Sequence, residues 1–146
     1  MIRHVTSLIC SKVIADERTK LPSFIEVLSG ASFGLTGLPS KIPPLILTST
    51  WFYNSKNKRN IRFRIGIIVP GTEKKEILLE QPIVIGGPVG RTANINVEIA
   101  NLVAEHEGEY LITVETKRNT RWKLDSEIPF LVDLIKEPKS NAPSPG

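Results

Sequence analysis

In the run Ile61-Arg62-Phe63-Arg64-Ile65-Gly66-Ile67, large apolar residues occupy every second position. Successive side chains of an extended chain point to opposite sides, so this pattern predicts a strand with Ile61, Phe63, Ile65 and Ile67 in the core and Arg62 and Arg64 facing out. Asn94-Ile95-Asn96-Val97-Glu98-Ile99 repeats the arrangement, with three β-branched residues inward and three polar ones outward. No long stretch reads at the helical period of 3.6.

Further strands follow at short intervals. His4 to Ile14 alternates less strictly but is rich in β-branched residues, and Asp16-Glu17-Arg18-Thr19-Lys20 is a polar turn before Phe24 to Leu28, which predicts a hairpin. Leu45 to Tyr53 forms another strand, and the polar connector Asn54 to Asn60 leads to the Ile61 strand, which reads as a second hairpin. Pro70-Gly71-Thr72 marks a turn into a strand over Glu76 to Glu80. Tyr110 to Thr116, with Tyr110, Ile112 and Val114 on one face, is followed by Trp122 to Leu124 and by Ile128 to Ile135. Turn signals recur every ~8–12 residues, which predicts an all-β, antiparallel two-sheet sandwich of eight or nine strands, of immunoglobulin-like or jelly-roll type. Gly30 to Pro44 and Pro82 to Arg91 resist assignment and suit long crossovers between sheets. Residues 1–136 make one domain, and Glu137 to Gly146, with Pro138, Pro143 and Pro145, read as a flexible tail.

Composition narrows the class. The chain has 146 residues, 40% of them hydrophobic, enough for one domain with a sizeable core. Its one cysteine, Cys10, excludes an internal disulfide and every multi-cysteine metal site. Apolar runs fall far short of the ~20 residues that span a bilayer, and the start of the chain carries no signal-peptide pattern, so the expected location is cytoplasmic.

Candidate chemistry is sparse. Only His4 and His106 offer an imidazole, neither in a catalytic motif, and Cys10 sits on a strand as a buried structural thiol. Glu105-His106-Glu107-Gly108-Glu109 brings carboxylates and an imidazole together, yet lacks supporting ligands and reads as an acidic surface turn. Gly86-Gly87-Pro88-Val89-Gly90-Arg91 follows an apolar run as a phosphate-binding loop would, but without the Lys-Ser/Thr ending or a following helix it reads as a sheet-to-sheet turn. No catalytic residue, metal site or cofactor is expected.

Charge is more informative. The net charge is +4, while residues 51–70 hold five basic residues (Lys56, Lys58, Arg59, Arg62, Arg64) and no acid. Lys117, Arg118, Arg121 and Lys123 form a second basic group on another expected hairpin. Flanked by Trp51, Tyr53 and Trp122, two such hairpins would combine phosphate attraction with base stacking. The plainer reading is a solvated connector and lysines that protect sheet edges, with the tryptophans in packing roles.

The opening His4-Val5-Thr6-Ser7-Leu8-Ile9-Cys10, the Asp16 turn, Phe24-Ile25-Glu26-Val27-Leu28-Ser29-Gly30 and the later Ala93-Asn94-Ile95, Asn101-Leu102-Val103, Gly108-Glu109-Tyr110 and Pro129-Phe130 pattern resemble a family of small bacterial proteins that carry a domain of unknown function. The resemblance covers most of the chain from His4 to Ile135, rests on strand-and-turn patterns, and implies a cytosolic single-domain β-sandwich with no catalytic residues. The strand entry at Gly108-Glu109-Tyr110 is also similar to immunoglobulin-like and macroglobulin-type domains. Fold likeness does not carry function. The expectation is therefore a non-enzymatic interaction module that meets another protein, with two alternatives: nucleic acid or another polyanion on the basic hairpins 54–64 and 117–123, or a carbohydrate stacked on Trp51 and Trp122. Neither the partner, the oligomeric state, nor whether the two basic segments share a surface can be read at this level.

Overall fold

The computed structural model describes residues 2–19, 21–87 and 91–135. The expected tail at 137–146, the Lys20 end of the first turn and the Pro88-Val89-Gly90 centre of the glycine-rich loop lie outside them. Among the described residues there are strands and no helix, hence none long and apolar enough to cross a membrane.

The described residues form eleven strands: β1 (Ile2–Ala15), β2 (Pro22–Val27), β3 (Ser32–Leu35), β4 (Ser40–Lys41), β5 (Leu45–Tyr53), β6 (Arg59–Ile68), β7 (Lys75–Ile85), β8 (Thr92–Ile99), β9 (Val103–Ala104), β10 (Gly108–Arg118) and β11 (Arg121–Leu134). One sheet has the order β2-β1-β5-β8, the other β3-β11-β10-β6-β7, and β4 pairs with β9 in a small third ladder. The excess over the expected count comes from β3, β4 and β9, short pieces whose two to four residues show no periodicity. One expectation of orientation fails as well: β3 runs parallel to β11.

The alternation is obeyed where it is cleanest. Ile61, Phe63, Ile65 and Ile67 of β6 are buried beside Tyr110, Ile112 and Val114 of β10 and Ile128, Phe130 and Val132 of β11. The first sheet meets them with Ile9, Leu45, Leu47 and Trp51. Trp51 sets its ring edge-on to Phe63, with centroids 5.5 Å apart, and Phe130 stacks on Tyr110 at 5.1 Å. Removing this apolar area from water, at roughly 25 cal/mol per Å², is what holds the two layers together.

Turns close where their chemistry allows. The Asp16 carboxylate accepts the N–H groups of Arg18 and Thr19 at 2.8 and 2.9 Å, which builds the β1–β2 turn and holds the Asp16 carboxyl below its usual range. Gly71 takes a φ of +81° in the β6–β7 turn.

The expected hairpin of Leu45–Tyr53 with the Ile61 strand is not formed. β5 lies in the first sheet and β6 in the second, so residues 54–58 cross from one layer to the other. A polar connector carries the same local signal whether it reverses a strand or changes sheets. The β10–β11 hairpin is as expected, with Asn119 at positive φ in its turn.

Candidate anion-binding end

The crossover decides where the basic residues lie. β6 starts at the end of the sandwich where β10 finishes, and in their antiparallel register Arg62 is the partner of Lys117. Arg62 and Lys117 thus share the outer face of the second sheet, whereas Lys123, partner of the buried Thr116, and Arg121, partner of Arg118, fall on its other face. Arg59, Asn60, Ile61, Arg62, Lys117 and Asn119 line a groove there of about 330 Å³. Lys56 and Lys58 are exposed on the neighbouring crossover, and Arg121 and Lys123 are exposed at the start of β11.

The nine candidates are not equivalent. Arg64 is used internally: its guanidinium makes two hydrogen bonds of 3.1 Å to the Glu115 carboxylate and lies 4.0 Å over the Trp122 ring. Lys75 adds a third bond to Glu115 at 2.8 Å. Burial alone would push the Glu115 carboxyl up, and the hydrogen bonds from Arg64 and Lys75 outweigh it and hold the carboxyl below its usual range. Arg118 is structural as well, donating to the Ile2 carbonyl across the sheets, to Thr116 Oγ1 and to Asp125. Arg62 pairs with Glu80 at 3.4 Å, but both side chains are nearly half exposed, so the pair is weak and Arg62 stays available. Sequence reasoning pairs neither Arg62 nor Arg64 with an acid, since Glu80 and Glu115 lie 18 and 51 residues away.

Two more basic residues belong to this end and carried no signal of their own. Arg3 lies over the Phe52 ring at 5.6 Å, and Arg91 donates to Asn54 Oδ1 at 2.7 Å. Both flank strands whose neighbours are known only from the fold.

The expected stacking platform is lost at Trp51 and reduced at Trp122. Trp51 is fully buried, and Trp122 has one face covered by Arg64. The described part of the glycine-rich loop is a packing device. Gly87 donates its N–H to the Ser55 carbonyl at 3.0 Å, and a Cβ on Gly86 would stand 2.5 Å from the Asn57 carbonyl oxygen. Those glycines let the β7–β8 loop lie against the 54–58 crossover.

Around the Glu115 cluster the backbone is equally tight. A Cβ on Gly66 would stand 2.7 Å from Thr113 Oγ1 and 2.8 Å from Lys75 Cγ. Gly66→Ala is therefore expected to destabilise the fold by about 1–3 kcal/mol as Lys75 is pushed aside, seen as a lower midpoint in thermal melts.

The remaining candidates take part in packing and hydrogen bonds of the fold. Cys10 is fully buried, and burial pushes its thiol up. In the acidic turn, Glu107 accepts the Leu134 N–H at 2.6 Å and His106 is tied by its backbone to the Tyr110 hydroxyl; no group of metal-ligating side chains occurs among the described residues. His4 contacts Ser7 Oγ at 2.7 Å, and Ser7 in turn bonds to Ser49. Burial lowers the His4 pKa, with Asp125 opposing and the charges of Arg118 and Lys123 adding to the effect. This hydroxyl–imidazole pair was not apparent in the sequence, because residues three apart face opposite sides of a regular strand and only the register shift between His4 and Thr6 brings them together.

No family model matches the chain, and no curated protein does. Solved structures do. The chain is similar to a β-glucosidase from Erythrobacter marinus (TM-score 0.54, 12% identity, 91% of this chain and 15% of that one). A β-glucosidase of intestinal bacteria involved in saponin metabolism gives a TM-score of 0.56 at 12% identity over 91% of this chain and 16% of that one. A β-glucosidase from Listeria innocua gives 0.51 at 10% identity over 73% and 15%. The likeness is one of fold. This chain spans about a sixth of the length of these enzymes.

Proposed function

We propose that this domain is a non-enzymatic interaction module that binds an anionic polymer, nucleic acid above all, through the basic end of the sandwich. The observation that carries the reading is the register Arg62↔Lys117, which gathers Arg59, Arg62 and Lys117 around one groove, with Lys56 and Lys58 exposed on the crossover that leads into β6. Recognition would be chiefly of phosphates, since Trp51 is buried and Arg64 occupies one face of Trp122. The burial of Trp51 weighs against a carbohydrate stacked on both tryptophans, although the structural neighbours are β-glucosidases. A protein partner draws its support from the free sheet edges rather than from this end of the molecule.

A fluorescent oligonucleotide should bind at low salt with affinity falling steeply as salt rises, because each phosphate contact releases counterions. Arg59→Glu with Lys117→Glu should remove the binding, and should also flatten the salt dependence, while Arg64 is left in place to hold Glu115. No retention of the oligonucleotide by the wild-type chain at low salt would sink the reading.

A further inference from the structure

Four strands end the two main sheets: β2 and β8 in one, β3 and β7 in the other. A sheet edge presents unpaired N–H and C=O groups, and proteins blunt such edges with proline, charge, bulges or shortness. Three of the four are blunted. β2 has Pro22 and a positive φ at Glu26, β3 is four residues long, and β7 carries Pro82, Lys75, Glu76 and Glu80 and an irregularity in its pairing with β6. β8 is not. Its eight residues pair with β5 without a register shift, it holds no proline or glycine, and its one charge is Glu98, next to its end.

We propose that a second copy of this chain adds to β8, antiparallel about a two-fold axis, joining the two four-stranded sheets into one. This goes beyond the anion-binding reading and uses another part of the molecule. The sequence of β8 suits its own copy. A two-fold axis perpendicular to the sheet keeps outward residues opposite outward residues, and with Asn96 on the axis Asn94 of each copy faces Glu98 of the other. The Asn94 carboxamide oxygen already accepts from Thr50 Oγ1 at 2.7 Å, which leaves its NH₂ group to donate to the facing carboxylate. The two Glu98 carboxylates sit on opposite sides of the axis, so no like charges meet. On the inner face Ile95 comes opposite Val97, a β-branched pair. The apolar cleft of about 200 Å³ lined by Leu78, Leu79, Val97, Ile99 and Leu102 lies at the Ile99 end of β8, so the clefts of the two copies sit on opposite sides of the axis.

Light scattering after size exclusion tests this. The wild-type chain should show the mass of two copies, and should keep it at high salt, where oligonucleotide binding is lost. Asn96→Lys sets two ammonium groups opposite each other and should halve the mass, while the neutral strand former in Asn96→Thr should leave the dimer intact; circular dichroism checks that both fold. With Cys10→Ser, Asn96→Cys should cross-link two chains under mild oxidation faster than Asn94→Cys, which faces Glu98. A wild-type monomer, or a dimer that survives Asn96→Lys, overturns the proposal; a monomer would leave the edge to an extended segment of another protein.

Discussion

Trp51→Ala is expected to lower the free energy of unfolding by about 3–5 kcal/mol, measured by urea denaturation. Trp51 is the largest fully buried side chain, set between the layers with Phe63 edge-on at 5.5 Å and the His4 ring at 5.6 Å. Its removal leaves a cavity walled by β6 residues that are pinned on both sides, by β7 and β10, and so cannot collapse into it. The indole Nε1 donates to no acceptor among the described residues. Such an unmet donor costs about 1–3 kcal/mol, so Trp51→Phe should lose much less than Trp51→Ala. Equal losses for the two would mean that the indole nitrogen, rather than ring volume, matters at this site.

Glu115→Ala should cost about 2 kcal/mol, less than the 3–5 kcal/mol typical of a fully buried broken pair. Glu115 is almost wholly buried, but Arg64 and Lys75 keep about a quarter of their side-chain surface in water, which screens the charges left behind. The same cluster sets a pH dependence. Because the folded-state pKa of Glu115 lies below 4.5, its contribution is complete above that pH and is lost as pH falls through the lower folded value. His4 acts earlier. Its folded-state pKa is depressed below 6.5, so the stability linked to it is present above 6.5 and declines as pH falls through the folded value. Urea midpoints recorded down a pH series should therefore fall in two stages, and Glu115→Gln should reduce the more acidic one, to which Asp16 also contributes. A flat profile from pH 7 to pH 3 contradicts both assignments.

Single strands were legible, as were the local hairpins β1–β2 and β10–β11, but pairings between strands distant in the chain were not. Ile61, Phe63, Ile65 and Ile67 are buried because burying one face of a strand requires a two-residue period, and that requirement is local. Whether β5 and β6 face each other across a turn or lie in different layers depends on contacts with β1, β8, β7 and β10, which no window of ten residues contains. The candidate site divides along the same line. That Arg62 and Arg64 face outward follows from alternation, but Glu115 consumes Arg64 from a strand 51 residues later. The clustering of Arg59 with Lys117 is invisible for the same reason, as are Arg3 and Arg91. Alternation also fails locally at bulges: the first strand shifts register between His4 and Thr6, which is why its pattern reads as less strict.

The irregularity in the last hairpin has a wider consequence. Val114 faces Ser126 but Glu115 faces Leu124, so Asp125 is the extra residue, and its carboxylate turns inward to Thr116 and Arg118. Deleting Asp125 would close the ladder into regular alternation, with Leu124 still opposite Glu115 and Trp122 still opposite Lys117, while Thr116 and Arg118 would lose their carboxylate. Identity at that position is therefore under tighter constraint than length: a chain one residue shorter would keep the Glu115 cluster and the basic end facing as they do, but would leave Arg118 without its acid.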